Sequence, residues 1–463
     1  MFISQQSLSG SLTRHPRHTM RIDRQFAFQL VEGARGRGAD FAEVYLKSAK
    51  NLSVEVKGQA ADAIESSIDF GYSLRVIRDN RLGFSYSTEV SEADRVIESA
   101  IEASRWTERD EYLDLPEPSP GQSIEIFDDT IFAITEEEAI GMACIIEKAA
   151  LDSDRRVTKV RKASASFSSK DVMLLNTKGL EKTYAATAAT AQIMVVAEDG
   201  DESQMGWEFD GSRFLRDISF EAVGEGAAGR ALQMLGAAKM NSVKAYVILD
   251  NSVAVEFLGI FSSLLSSEFV QKGKSLLAKR LNQEVVGSLI TVIDDGCMAR
   301  RLGSRPFDDE GVQTARKELI KDGVLLGYLY NTYTGKKDGV QSTGNAVKGS
   351  FSSLPAVGPS NLSLIVSGGH VRSGNLFSLV DRGLFVTEAM GIHTANSVSG
   401  EFSIGVSGLW VENGVVGQPI KGAVISGNIL DFFRNVEAAG DDLRFYGNMA
   451  CPSLLIGPTD ISA

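Results

Sequence analysis

Apolar residues recur along the first half of the chain in two rhythms. Ile22, Phe26 and Leu30 follow helical spacing, and the glycine-rich stretch 33–38 predicts where that helix ends. Residues 41–46 and 52–57 alternate apolar and polar, as half-buried strands do. Stretches 70–77 and 81–87 read as two more strands about the turn Asp79-Asn80. Ser91 is expected to cap a helix running to Arg105, with Asp94 three residues on. The same order then recurs: a helix over 136–151, strands over 159–168 and 172–176, a hairpin of 184–197 with 205–209, and a helix over 219–235. Lys57-Gly58 matches Lys178-Gly179 at a spacing of 121 residues, and Gly83-Phe84 matches Gly206-Trp207 at 123. The pattern predicts a duplicated helix–four strands–helix unit. Pro116, Pro118 and Pro120 mark the linker between the copies.

From residue 244 the rhythm changes. A short apolar strand over 244–249 precedes a helix over 251–265, with Val255, Leu258, Phe261, Leu264 and Leu265 at helical spacing and Asn251-Ser252 as its cap. Strand and turn signals dominate afterwards: 317–320 and 324–330 about Lys321-Asp322-Gly323, and 408–412 and 415–419 about Asn413-Gly414. Stretches 362–367, 384–387, 423–426 and 453–456 read as further strands, and 427–433 turns helical. So many strands predict a closed or sandwiched sheet. The fold class expected is α+β: duplicated helix–hairpin–helix units, then a β-rich, barrel-like domain. The divisions are 1–19, a disordered extension; 20–120 and 121–240, the two repeat units; and 241–463, the β-rich domain.

Composition narrows the chemistry. With 47 Lys+Arg against 60 Asp+Glu in 463 residues, the net charge is −13, which argues against non-specific nucleic-acid binding. No apolar run is long enough to span a membrane. Three scattered cysteines, Cys144, Cys297 and Cys451, fit a reducing, cytoplasmic compartment better than a disulfide framework. Only four histidines occur, His15, His18, His370 and His393. The first two fall in the extension, and the others are too far apart for a zinc helix, which needs two imidazoles on one face. Asp294-Asp295 and Asp308-Asp309-Glu310 leave a carboxylate-only magnesium or calcium site open, although acid clusters in glycine-containing loops are more often solvated turns. Neither a nucleophile elbow nor a phosphate loop is present. Ser407 reads as structural and Cys451 as a buried apolar cysteine, with a Cys451–His393 pair left open. Three polar stretches remain as binding candidates: 307–316, 342–345 and 432–435.

These stretches also carry a resemblance. Residues 307–327 (FDDEGVQTARKELIKDGVLLG), 342–345 (STGN), 384–391 (LFVTEAMG), 399–414 (SGEFSIGVSGLWVENG), 426–435 (SGNILDFFRN) and 452–456 (PSLLI) resemble the TldD/PmbA family. Its members were once called modulators of DNA gyrase and are now grouped with zinc metallopeptidases. Gly38-Ala39-Asp40 with Ala42-Glu43-Val44 extends the likeness into the first half. The resemblance implies two branches. TldD-like members carry a His-Glu-x-x-x-His zinc helix and a later Cys ligand; PmbA-like members, also called TldE, lack them. Aligning 268–275 (EFVQKGKS) with the family's segment after that helix puts the motif on Leu258, Gly259 and Ser263, and the Cys near Asp442. None keeps a zinc-site residue, so the chain resembles the PmbA/TldE branch. The resemblance implies no cofactor in this chain and zinc in a TldD-like partner, with which it would form a heterodimer, and leaves a homodimer open for the chain alone. It further implies cleavage of unfolded peptides and small peptide precursors, including peptide-antibiotic precursors and antitoxins. Arg316, Thr343, Asn345, Arg434 and Asn435 are the candidates for peptide or partner contact. A hydrolase with a non-metal site and a non-enzymatic regulator of a topoisomerase or another protein are the alternatives.

Overall fold

The two repeats of the first half build one sheet rather than two. Strands β1 (Phe41–Lys57), β2 (Ala60–Arg78) and β3 (Arg81–Ser87) come from the first copy, and β4 (Val157–Asn176), β5 (Glu181–Asp199) and β6 (Glu202–Ser212) from the second. Their order is β3-β2-β1-β4-β5-β6, antiparallel throughout. The copies join at the centre, where β1 pairs with β4 from Glu43↔Asn176 to Val56↔Ala163. The computed structural model describes residues 23–368, 370–396 and 398–462, so the extension expected over 1–19 lies outside them.

Each copy therefore has three strands, not four. The expected break at 47–51 is absent because Lys50 and Asn51 are paired on both sides, Lys50 with Ile68 and Ser169. The run Ser168-Ser169-Lys170-Asp171 is likewise absorbed into β4. Backbone pairing overrides polar composition there. Residues 60–69, too polar to signal a strand, are the first half of β2.

Helices cover one face. In the first copy α1 (Arg24–Gly36) and α2 (Ala93–Ser104) bury Phe26, Leu30, Val96 and Ile97 against Val44, Leu46, Leu74 and Val76. In the second, α3 (Asp129–Ala133), α4 (Glu136–Ser153) and α5 (Phe220–Gln233) bury Ile131, Ala143, Ile146, Val223 and Ala227 against Ala163, Ala165, Ile193 and Val195. Small residues permit close approach: a Cβ on Gly206 would sit 2.0 Å from the Ala227 carbonyl oxygen. Thr135 and Glu138 form a reciprocal capping box on α4. Ser91 is not a cap; it lies in a 3₁₀ turn, Val90–Glu92, that precedes α2.

The second half contains a closed barrel. Strand β7 (Val243–Leu249) runs parallel to Arg382–Met390, which continues antiparallel through Glu401–Glu412, Val415–Asn428 and Leu454–Ser462. Leu454–Ser462 then pairs back onto β7, so the five strands close on themselves. Helix α6 (Asn251–Leu264) follows β7, with Asp250 rather than Asn251 as its N-cap, and α7 (Ser267–Gln271) follows it. A second sheet is ordered β10 (Val324–Leu325), β9 (Arg316–Lys321), β8 (Ile290–Asp295), Leu362–Val366, Met449–Cys451 and Arg444–Tyr446. The strand expected over 324–330 stops at Leu325. One core, including Phe257, Leu258, Phe261, Ile404 and Leu364, unites α6, the barrel and this second sheet. The fold is α+β with a β-rich, barrel-containing C-terminal region, as the patterning predicts.

The second half packs on the sheet face that the helices leave bare. Phe351 lies against Gly71, where a Cβ would come within 2.4 Å of its ring, and Phe307 packs edge-on against Tyr184 at 5.1 Å.

Candidate functional site

Two polar regions of the second half could carry chemistry. The first is built by 307–316 and 342–345, which the fold brings together. Gly344 makes this possible: its φ is +72°, and a Cβ there would lie 2.5 Å from the Gln313 carbonyl oxygen. The acids of this loop are not a solvated turn. Asp308, Asp309 and Glu310 are all buried. Asp308 accepts from the backbone N–H groups of Glu310, Val312 and Ala346 at 3.0, 2.9 and 2.9 Å. Asp309 accepts from Arg305 Nη1 at 2.9 Å and the Lys348 N–H at 2.8 Å. Glu310 accepts from Arg75 Nη1 and the Thr332 N–H, both at 2.8 Å, and Arg75 also holds Glu43 at 3.0 Å. Burial, then the Glu310 charge, push the Asp308 carboxyl up to about 7, against the pull of Arg305 and of the backbone donors. Burial pulls the Lys348 ammonium, whose Nζ lies 4.5 Å from the Tyr45 ring centre, down to about 8.

Asn345 belongs to the same wiring. It is fully buried and donates to Asp294 Oδ2 at 2.8 Å and to the Gly358 carbonyl at 3.0 Å. Its own oxygen accepts from Lys317 Nζ at 2.7 Å and Thr343 Oγ1 at 2.8 Å. Lys317 also pairs with Asp294 at 3.0 Å. Arg316 projects from β9 into solvent, 3.9 Å from Glu318. The third stretch lies apart. Phe432 and Phe433 enter the core, Arg434 pairs with Asp431 on its own short helix, and Asn435 is exposed. Beside the acid loop, Arg75 and Glu310 line a cleft of ≈ 580 Å³ between the linker residues Thr107 to Leu113 and α7 and α8 (Thr332–Asp338).

The second region is the outer face of α6. Asp250 caps the helix by accepting from the Ser252 N–H at 3.1 Å. Asn251 reaches the Asp442 carbonyl at 3.1 Å, and Asp442 accepts from the Ser453 N–H and Oγ at 2.9 and 2.7 Å. Leu258 is 0% exposed, part of the core. Gly259 opens on space, since a Cβ there would meet nothing within 4 Å. Ser263 donates to the Ile260 carbonyl at 2.9 Å. Glu256, Gly259, Ile260 and Ser263 share this face by helical spacing. Burial, and next the Glu388 charge, raise the Glu256 carboxyl to about 7; burial also raises Glu388, on the barrel strand Arg382–Met390. Sequence reasoning passed over this pair. Its one signal was an acid inside the apolar helix VAVEFL.

Cys451 is fully buried in a short strand, and burial, then Asp442, push its thiol well above the ordinary range. A thiol held protonated is a poor nucleophile. Ser407 is buried on Glu401–Glu412, and Asp295 accepts from the Cys297 N–H at 2.8 Å. His393 lies in the turn Ile392–Thr394; His15 and His18 lie outside the described residues. No described helix is long and apolar enough to cross a membrane.

Models of the PmbA/TldA metallopeptidase match in three blocks: domain 1 over residues 42–104, the central domain over 129–235 and the C-terminal domain over 242–463. The chain belongs to the PmbA/TldD metallopeptidase family. It is 28% identical to metalloprotease PmbA of Escherichia coli O157:H7, covering 92% of this chain and 93% of that one. It is 26% identical to a metalloprotease TldD homolog of Haemophilus influenzae, over 88% and 86%. A crystal structure from Thermotoga maritima, named as a candidate modulator of a DNA gyrase, superposes with a TM-score of 0.87 at 26% identity, covering 95% of this chain and 99% of that one. TldE from Thermococcus kodakarensis, at 21% identity, shares the fold with a TM-score of 0.86, over 95% and 100%.

Proposed function

We propose that this chain is the PmbA/TldE-type subunit of a peptidase complex, without a zinc site of its own, and acts on unfolded peptides and small peptide precursors with a zinc-bearing TldD-like partner. The residues at the motif positions carry this reading. Zinc needs about three nitrogen, sulfur or carboxylate ligands at close to 2 Å. Leu258 offers hydrocarbon buried in the core, and Gly259 has no side chain. The Ser263 hydroxyl is bonded within its own helix, and the Asp442 carboxylate is committed to Ser453. This set does not fit zinc, and no activated water or Lewis acid is assigned to it. The open face of α6, with Glu256 and Glu388, would instead wall a space shared with the partner.

The test is direct. The purified chain should carry no stoichiometric zinc and cleave no unfolded peptide alone. It should co-purify with a zinc-bearing relative and raise that relative's peptide turnover. Stoichiometric zinc with full activity in the isolated chain would overturn the proposal.

A further inference from the structure

The cleft beside Arg75 and Glu310 is walled by both halves of the chain and shares no residue with α6. One wall is the linker, which runs along the edge of β3 through the bridge Arg81↔Arg109. The Asp110 N–H donates to the Asn80 carbonyl at 2.7 Å, and Thr107 Oγ1 to the Leu82 carbonyl at 2.8 Å. The same segment is tied to α8: Tyr333 Oη donates to Asp110 Oδ2 at 2.8 Å, and Lys336 Nζ to the Leu113 carbonyl at 3.1 Å. A second wall is α7, where Gln271 Nε2 donates to the Thr334 carbonyl and Ser267 Oγ to Thr334 Oγ1, both at 2.8 Å. Each wall is held by its own hydrogen bonds, so the cleft is formed before anything enters it.

Its lining divides into two kinds of surface. Leu82, Leu113, Leu354 and Pro355 give it apolar area. Most of the charges around them are already committed. Arg75 and Glu310 bind each other, Asp110 accepts from Tyr333, and Lys272 pairs with Glu268 at 2.6 Å. Three charges remain. Glu108, Arg109 and Lys337 are exposed and line the cleft, and among the described residues none has an ion-pair partner. Lys337 Nζ stands 5.8 Å from the Tyr333 ring centre. The volume of ≈ 580 Å³ falls within the range of about 300–1,000 Å³ usual for small-molecule sites. Such sites favour junctions between domains and join an apolar lining to a few placed polar groups.

We propose that this cleft binds a small zwitterion with an apolar body, of the size of an unblocked dipeptide. Its carboxylate is met by Arg109 and Lys337, its ammonium by Glu108, and its apolar side chains by Leu82, Leu113, Leu354 and Pro355. A fatty acid would satisfy the two cations and leave Glu108 facing a like charge. An aliphatic amine would satisfy Glu108 and be repelled by the other two. Only a ligand with opposite charges at its two ends complements all three, and such complementarity selects among ligands of equal apolar area. The site does not depend on the peptidase reading, because no residue of α6 and neither Glu256 nor Glu388 lines it.

Isothermal titration calorimetry of the full chain with leucyl-leucine tests this. One site should saturate. Acetylating the amine or amidating the carboxylate of the probe should raise Kd by at least about tenfold, and octanoate should bind no better than the blocked probes. Joint Arg109→Ala and Lys337→Ala changes should weaken leucyl-leucine by at least about tenfold and leave the amidated probe unchanged. Glu108→Gln should weaken leucyl-leucine and leave the acetylated probe unchanged. This pairing of variant with blocked end is a readout that a merely structural role would not give. The three side chains are exposed, so circular dichroism should show the parent fold in each variant. No saturable binding at ~10 mM probe, or one Kd for free and blocked probes, would overturn the proposal. So would binding that ignores both variants, which would put the dipeptide elsewhere on the chain. Zinc in the isolated chain would overturn the peptidase reading and leave these titrations as they are.

Discussion

Glu310 and Glu256 are both carboxylates of the second half, one buried and one exposed, and the chain treats them in opposite ways. Glu310 is fully buried, with one oxygen held by Arg75 and the other by the Thr332 N–H. Its neighbour Asp308 is bonded at both oxygens too, and Asp309 takes Arg305 and the Lys348 N–H on one oxygen. The Glu256 carboxyl is raised by desolvation first and by the neighbouring Glu388 carboxylate second. Around it Gly259 leaves space. A buried acid with both oxygens bonded holds structure together; an exposed acid with a like charge nearby is available to something else. The acid loop joins the two halves of the chain, and the α6 face is where a further molecule can be accommodated.

The largest test of this contrast is Arg75→Met. It leaves Glu43 and Glu310 buried without their cation, and should lower unfolding stability by about 3–5 kcal/mol in urea titrations. A loss below ~1 kcal/mol would mean that the joint is solvated. Leu258→Ala should cost about 2–5 kcal/mol, because a buried leucine leaves a cavity. Were position 258 an open ligand position, the change would be nearly silent. Asn345→Leu removes an amide that bridges Lys317 and Asp294, and should cost about 1–3 kcal/mol. On the other face the signs change. Gly259→Ala adds a methyl into empty space inside a helix and should stabilise by about 0.5–1 kcal/mol; a loss would show that the space is filled.

The smallest effect is a pH dependence. The folded-state value of Glu256, about 7, lies above its ordinary 4.5. The folded state therefore binds the proton more tightly, and this contribution to stability is present below pH ~4.5 and lost as pH rises through about 7. Glu256→Gln should thus stabilise the chain relative to the parent more at pH 8 than at pH 4. Carboxyl NMR should place the Glu256 midpoint near 7, and Glu388→Gln should lower it. An ordinary midpoint would put Glu256 in open water.

Local rhythm carried most of the fold into view. The long helices and the Asp79-Asn80 and Asn413-Gly414 turns follow from spacing and turn chemistry, whereas the short helices α3, α7 and α8 gave no such signal. What local rhythm misses is decided by distant partners. Ser168 to Asp171 are strand because β1 and β5 flank them, and 60–69 is strand because β1 pairs with it. The site divides in the same way. The stretches 307–316 and 342–345 stood out as polar, but Asp308 and Asp309 are held by the Ala346 and Lys348 N–H groups 38 and 39 positions on, and Glu310 by Arg75, 235 positions earlier, and no local pattern reports such pairings. The Glu256–Glu388 pair is equally non-local.

The way the barrel closes also sets a timetable. Leu249 of β7 meets Leu454, and Val243 meets Ile461. At a synthesis rate of roughly 5–20 residues per second, about 10–40 seconds separate the emergence of the two strands. Both edges of the apolar strand VKAYVIL stay open until Arg382–Met390 emerges, and one stays open to the end of the interval. A transiently open apolar edge is prone to aggregate, so the second half should fold less efficiently the more slowly it is translated. Synonymous changes that delay elongation between codons 250 and 450 should lower its soluble yield without altering a single side chain.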